Sequence, residues 1–223
     1  MKVDANFRRR ASEGEDVRQL NSLIISGLSK IDGLFLNKDA GSRAVFNPGT
    51  GESAGANLSM CLAKGVRGSI LYASRIPGMI KDKATSDDFI KLELDLGQID
   101  YFWFAVQIFP KIVQVFEAYR ASIVTDVDQE IDDFDEIVEL SRDKKIDVIG
   151  RDWVFRIQPV NYFDNTLCIR AFGLGHKEVA ARLAGKVCVV EEMGKGVFFV
   201  AVSAPVFGEE TLLLDAKIKN ILT

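Results

Sequence analysis

The segment KVCVVEEMGKGVFFVAVS, from Lys186 to Ser203, contains two strand-like runs joined by a turn and therefore indicates the fold class. Val recurs in Lys186–Glu192, Val and Phe recur in Val197–Ser203, and β-branched and aromatic residues favour extended backbone. Between the two runs, Gly194-Lys195-Gly196 has the composition of a tight turn. These residues predict an antiparallel hairpin.

Around this predicted hairpin, helical and extended segments fill the C-terminal third of the chain. Apolar residues at helical spacing predict helices over Asp164–Phe172, His176–Ala184 and Glu209–Leu222, and a β-like run predicts a strand over Trp153–Val160. Helices combined with hairpin-linked strands are typical of an α+β fold with mixed helices and a mostly antiparallel sheet.

The N-terminal half predicts the same mixture of elements. Its patterns indicate a helix over Val17–Ile31, a short helix over Ala56–Lys64, and strands over Gly68–Tyr72 and Phe89–Leu94. Gly, Asn, Pro and Ser are frequent in Gly33–Gly55, which predicts loops or a short hairpin there.

Pro110 is predicted to open the clearest helix, because proline costs little at the first helical position. One apolar stripe at helical spacing supports it, formed by Ile112, Val115, Phe116, Tyr119 and Ile123. Such a helix would deliver a strongly acidic segment from its C-terminal end, where carboxylates oppose the helix dipole.

That acidic segment is the most distinctive feature of the chain. It contains eight carboxylates in fourteen residues and no Lys or Arg, namely Asp126, Asp128, Glu130, Asp132, Asp133, Asp135, Glu136 and Glu139. Such a run repels itself and favours cationic partners, so these eight are the candidate partner-binding residues. Interleaved apolar residues predict that part of the run packs as a helix, namely Ile131, Phe134, Ile137, Val138 and Leu140. A solvated face without a partner is the open alternative.

Other chemistry for the charged and glycine-rich segments is disfavoured. Counted from Asp126 or Asp128, the sixth position of a calcium loop is not the glycine that its sharp turn needs. The glycines at 49, 51 and 55 do not follow a buried strand, which favours a loop over a dinucleotide site. Cys61, Cys168 and Cys188 lie far apart, so we expect reduced, mostly buried thiols, no structural metal and no cofactor.

Overall composition narrows the partner classes. The 223 residues are 48% hydrophobic with a formal charge of -4, so we expect one domain over residues 1–223, or two subdomains of about residues 1–140 and 150–223. Without a basic face, nucleic acid is not expected as a partner. Polar residues interrupt the apolar Tyr101–Val124, so no membrane span is expected. Acidic residues follow Arg8-Arg9-Arg10 where a signal sequence is apolar, which predicts a cytoplasmic protein.

One enzyme hypothesis stays open beside the binding hypothesis. Gly51-Glu52-Ser53-Ala54-Gly55 fits the GxSxG pattern of serine hydrolases, and His176 follows downstream in the order of that fold. However, the turn-like Asn47–Gly51 precedes Ser53 where a strand is needed, so we expect no enzyme activity.

Several segments between residues 109 and 174 resemble proteobacterial immunity proteins of type VI secretion and polymorphic-toxin systems. They are FPKIV at Phe109–Val113, AYR at Ala118–Arg120, GRDWVFRIQPVNYFD at Gly150–Asp164 and LCIRAFGL at Leu167–Leu174. The resemblance implies a non-enzymatic immunity protein that binds and neutralises one cognate secreted toxin, with a nuclease as one candidate. A nuclease presents a cationic surface to its substrate, which clustered carboxylates complement. Aromatic residues are candidates for contacts to the toxin, although core positions are the favoured alternative for most of them, namely Tyr101, Phe102, Trp103, Tyr162 and Phe163.

Overall fold

Five antiparallel strands form the framework of the N-terminal unit, Met1–Ala118. They are β1 (Lys2–Arg10), β2 (Val45–Asn47), β3 (Ala54–Asn57), β4 (Val66–Tyr72) and β5 (Asp87–Asp95), in the spatial order β2-β3-β4-β5-β1. The computed structural model describes residues 1–37, 40–47, 54–148 and 150–223, without the side chains of Ala40, Ser42 and Glu130. Val3, Ala5 and Phe7 of β1 are buried because alternate residues of a strand face the same side. The strands predicted at Gly68–Tyr72 and Phe89–Leu94 are confirmed.

The helices of this unit are α1 (Val17–Leu28), a short α2 (Tyr101–Trp103) continued by a π turn at Phe104–Ile108, and α3 (Phe109–Phe116). α1 starts where predicted, because the Asp16 carboxylate accepts hydrogen bonds from two backbone N–H groups of its first turn. The helix predicted over Ala56–Lys64 is wrong, since Ala54–Asn57 pairs as β3 with β4.

The helix predicted from Pro110 through Ile123 is wrong in its second half. α3 ends at Phe116 because Glu117 takes the left-handed conformation, with φ of 53°. A strand, β6 (Arg120–Val124), follows instead. The acidic segment is therefore not delivered from a helix C-terminus, and the unfavourable dipole expected there does not arise.

Four charged residues join β1, β5 and the segments beside them in the N-terminal unit: Arg9 and Asp88 are buried, and Glu15 and Arg75 are half-buried. The fully buried Asp88 carboxylate accepts hydrogen bonds from Arg9 Nη1 at 2.9 Å and from Arg75 Nη2 at 2.7 Å. Arg9 and Arg75 both also contact Glu15, and the hydrogen bond with Glu15 is the main cause that raises the pKa of Arg9. Burial of Glu15 opposes its ionisation, but hydrogen bonds from Arg9 and the Ser12 N–H outweigh it and lower the pKa of Glu15. This cluster fixes both guanidinium groups inside the unit.

The C-terminal unit, Tyr119–Thr223, contains the four antiparallel strands β6, β7 (Val160–Asp164), β8 (Val189–Met193) and β9 (Gly196–Val200), in the order β6-β7-β9-β8. Met193 pairs with Gly196 across a two-residue turn, which confirms the predicted hairpin. Together with the N-terminal strands, this arrangement confirms an α+β fold with a mostly antiparallel sheet.

The strand predicted over Trp153–Val160 is wrong, because β7 begins only at Val160. Before it, the Ile157 N–H donates to Asp215 Oδ1 at 2.7 Å, and the Gln158 N–H donates to Asn161 Oδ1 at 3.0 Å. Pro159 has no N–H to donate. Side-chain oxygens thus accept the hydrogen bonds that these backbone N–H groups would donate to a neighbouring strand.

Five helices complete the C-terminal unit: α4 (Val127–Asp132), α5 (Phe134–Lys144), α6 (Asn165–Phe172), α7 (His176–Leu183) and α8 (Glu209–Leu222). The predictions for the last three are confirmed, and α8 has the predicted bounds. Their apolar faces pack with β7 and β9 around buried residues that include Phe163, Leu167, Val179, Phe199 and Ile218. Among the helices in the described ranges, none has the length and apolarity to cross a membrane.

Candidate partner-binding surface

The acidic segment folds into two consecutive helices, α4 and α5, which meet at the turn residue Asp133 and which we call together the rod. Asp126 caps the start, since its Oδ1 accepts a hydrogen bond from the Gln129 N–H at 3.1 Å. Asp133 joins the two helices with near-helical angles, φ -69° and ψ -15°. Its N–H donates to the Gln129 carbonyl, and its own carbonyl accepts from the Ile137 N–H at 3.0 Å. Both bonds have helical spacing, but Asp133 itself is a turn residue that ends α4 and precedes α5.

One side of this rod is tied down by Arg156. The Asp133 carboxylate accepts from Arg156 Nε at 3.0 Å and from Nη2 at 2.6 and 2.7 Å, and it is buried. Arg156 Nη1 also reaches Asp215 of α8 at 3.4 Å, and Lys219 Nζ lies 2.9 Å from the same carboxylate. Two cations and two carboxylates thus alternate, a satisfied arrangement for partly buried charges.

A second tie holds the start of α4. Asp126 Oδ2 accepts a hydrogen bond from the Gly208 N–H, the residue before α8, at 2.6 Å. Next to it, Thr125 Oγ1 donates to the Val206 carbonyl at 2.6 Å. Asp126 and Asp133 therefore have internal roles, so their carboxylates are not free to meet a partner as the sequence interpretation assumed.

The remaining described carboxylates of the segment are exposed. Asp128 and Asp132 lie four residues apart on one side of α4, Asp135 and Glu139 lie four residues apart on one side of α5, and Glu136 is exposed next to Asp135. We call Asp128, Asp132, Asp135 and Glu139 the acidic row. Glu130 lies in α4, but its side chain is outside the described part of the structure. Five of the eight predicted residues are thus displayed on the surface.

Cations appear only at the C-terminal end of the rod. Arg142 Nη2 lies 4.0 Å from Glu139 and its Nε lies 3.5 Å from Asp143, while Lys144 Nζ lies 4.6 Å from the centre of the Trp153 ring. Carboxylates in the first turn and cations in the last turn both suit the helix dipole of α5. The charge of the rod is therefore negative over its first turns and mixed at its end.

The interleaved apolar residues do not pack as predicted. Ile137 and Leu140 are half-buried, but Ile131, Phe134 and Val138 are exposed. All eleven residues of α5 are described, and none is buried. The rod is therefore held by its polar ties and by these two half-buried side chains.

The sequence interpretation missed Arg156, Asp215 and Lys219, which orient the rod. Arg156 lies 23 residues from Asp133 and 59 residues from Asp215, so no local spacing links them. A signal of another kind was present, since isolated Asp and Arg residues inside apolar segments need a buried partner.

Other candidate residues take structural positions. Tyr101, Tyr162 and Phe163 are buried and cannot be surface contacts, whereas Phe102 and Trp103 are partly exposed. His176 begins α7, and its backbone N–H and ring Nδ1 both approach Asn165 Oδ1, at 3.0 and 2.8 Å. Ser53, the proposed nucleophile, lies outside the described residues.

The three cysteines differ in burial. Cys61 and Cys168 are buried and Cys188 is exposed, all three as free thiols. Burial raises the pKa of Cys168 to about 12, which leaves its thiol protonated and unreactive.

The fold is similar to that of known structures, although the sequence comparisons find no relative. No protein-family model and no curated protein matches the sequence. Among solved structures, the fold is similar to that of a Pseudomonas aeruginosa T6SS protein, PA0821, with a TM-score of 0.54 and 10% sequence identity. The match covers 98% of this chain and 72% of that chain. At this identity the likeness concerns the fold alone.

Proposed function

We propose that this chain is a non-enzymatic immunity protein of a type VI secretion system, which binds one cognate secreted toxin in the cytoplasm and neutralises it. The observation that carries the proposal is the acidic row, Asp128, Asp132, Asp135 and Glu139, displayed on a rod that buried ion pairs hold in one orientation. A fixed array of like charges is suited to selecting a partner of opposite charge.

A toxin that acts on nucleic acid fits this array best. Its substrate site must carry clustered Lys or Arg to bind phosphates. An acidic surface that covers such a site competes with the substrate, and one that binds beside it anchors the inhibitor. Electrostatic attraction also accelerates association, which benefits a protein that must capture a toxin before the toxin acts.

Two likenesses support the type VI secretion context. The segments between residues 109 and 174 resemble immunity proteins of such systems, and the fold is similar to that of a T6SS protein of P. aeruginosa. The buried positions of Phe163, Leu167 and Cys168 explain why parts of the resembling segments are needed for the fold rather than for contact.

Growth rescue is the experiment that tests this function. Toxin and immunity genes lie side by side, so the protein encoded by the neighbouring gene is produced in a bacterial host with and without this chain. We expect that protein alone to stop growth and co-production of the chain to restore it. If the chain leaves the toxicity unchanged, the proposal is wrong.

The hydrolase hypothesis at Ser53 gives a different result in a separate assay. An immunity protein keeps its rescue activity with Ser53→Ala and does not react with a serine-directed fluorophosphonate. A hydrolase reacts with the probe and loses that reaction in the variant.

A further inference from the structure

The rod formed by α4 and α5 displays an apolar row that no part of the described chain covers. Val127, Ile131, Phe134 and Val138 are exposed to 36%, 67%, 61% and 46%. Val127 and Ile131 share one side of α4, and Phe134 and Val138 share one side of α5, because residues four apart lie on the same face of a helix. We call these four residues the apolar row. Single exposed apolar residues are common, but four within twelve residues are typical of an interaction surface.

The apolar row lies directly beside the acidic row. Each acidic residue, from Asp128 to Glu139, follows one residue after its apolar counterpart, which places the two about 100° apart around the axis of the helix they share. Asp126 and Asp133, which cap the two ends of α4, bond instead to Gly208 and Arg156. These ties hold both ends of α4 in place.

We infer that this two-row face is the docking surface for the partner, and that the partner offers an apolar groove with a cationic rim. This inference rests on the proposed function and specifies the contact it requires. An amphipathic helix that inserts its apolar residues into a groove is a recurring mode of recognition, with anchors at this spacing. The apolar row enters the groove, and the acidic row meets Lys or Arg along one edge.

Charge decides against two other occupants of the face. A second copy of the chain would bring two segments of eight carboxylates into one interface, and neither segment contains a Lys or Arg between residues 126 and 139. A bilayer with anionic lipids repels an acidic helix, since helices that bind such surfaces carry Lys and Arg. A cationic protein satisfies both rows at once.

The distribution of charge along the rod also sets the extent of the cationic rim. Carboxylates occupy the surface up to Glu139, and Arg142 and Lys144 follow. The cationic rim of the partner therefore lies opposite residues 127–139 and not opposite the end of α5.

A matched pair of truncations tests the surface, with the protein encoded by the neighbouring gene as the probe. Ile131→Ala removes an exposed apolar side chain from the apolar row, whereas Leu213→Ala removes one of equal size and similar exposure, 69%, from α8. We expect Ile131→Ala and Phe134→Ala each to raise the dissociation constant about tenfold, mainly by faster dissociation. Leu213→Ala should stay within about twofold of the wild type.

The outcomes separate the surface from the function. If the wild type binds and protects but the apolar-row variants bind equally well, the surface is wrong and the function stands. If the wild type does not bind, both are wrong. A wild-type dimer that Ile131→Ala dissociates in sedimentation equilibrium, or binding to phosphatidylserine vesicles that Ile131→Ala abolishes, would assign the face to another occupant and overturn the inference. Circular dichroism of each variant verifies that it is folded.

Discussion

Replacing Asp88 with Asn is predicted to destabilise the N-terminal unit strongly. The Asp88 side chain is fully buried, and its carboxylate neutralises Arg9 and Arg75 through hydrogen bonds of 2.9 and 2.7 Å. Asp88 Oδ1 also accepts from the Ala73 N–H at 3.1 Å. Asn can keep the hydrogen bond from the Ala73 N–H, but its side-chain NH2 group then faces the N–H groups of Arg9 and Arg75, where only an acceptor fits. The substitution thus removes a charge and places donors against donors without leaving a cavity.

The size of the effect follows from what remains around the two arginines. Breaking a buried ion pair by removing one partner costs about 3–5 kcal/mol. Glu15 still contacts Arg9 and Arg75, so a value at the low end, about 3 kcal/mol, is expected. For a chain of this length that loss corresponds to a melting temperature lower by about 6–12 °C.

Urea unfolding followed by circular dichroism measures this loss against a matched control. Glu93→Gln removes the same charge from the same strand, but Glu93 pairs with Lys2 at 2.8 Å on the surface, where both side chains are substantially exposed. An exposed pair contributes about 0–1 kcal/mol, so Glu93→Gln should change little. Equal losses in the two variants would refute the structural role of the Asp88 cluster.

Three further predictions follow from the same structure. The pKa of Glu15 is lowered in the folded state, so the stabilisation that the Glu15 carboxylate provides is complete above the ordinary glutamate pKa and is lost as the pH falls through the folded pKa. The difference in unfolding free energy between wild type and Glu15→Gln, measured by urea titration, should therefore close in acid. A difference that does not change with pH contradicts this. Gly196→Ala should lower the free energy of unfolding by about 1–3 kcal/mol or more, measured by thermal unfolding, because a Cβ there would strike the Phe163 carbonyl oxygen. Gly175→Ala is the control and should cost less, since its Cβ would lie 3.5 Å from the nearest side-chain atom. Equal costs would exclude the clash. A thiol reagent should label Cys188 alone in the native protein and all three cysteines in urea, and rapid native labelling of a second cysteine would show that its burial is wrong.

The sequence predicts those elements whose signals are local. α8 has its predicted bounds, Glu209–Leu222, because apolar residues recur along it at helical spacing. The hairpin of β8 and β9 is set by its turn residues. The prediction of a helix through Ile123 is wrong because nothing in the sequence marks Glu117 as left-handed. The apolar stripe of α3 also continues without a break into β6, which is apolar as well.

The candidate surface was predicted in composition but not in arrangement. Carboxylate clustering identified the segment, yet the internal roles of Asp126 and Asp133 depend on Gly208 and Arg156, which are 82 and 23 residues away in the chain. Helical periodicity also gave no way to decide whether the apolar residues face the core. The exposure of Phe134 follows from which side of the rod is tied, and that is a tertiary property.

The association rate constant at increasing salt shows whether the exposed face of the rod binds a cationic partner. The variant reverses the acidic row, Asp128, Asp132, Asp135 and Glu139, to lysine and keeps Asp133, because reversing that buried carboxylate would disrupt the tie to Arg156. With the protein encoded by the neighbouring gene as partner, we expect the variant to associate at least about tenfold more slowly at low salt. The two rate constants should converge at high salt, where the screening length falls to about 3 Å. Equal rate constants at every salt concentration, for a folded variant that still protects, would contradict the account.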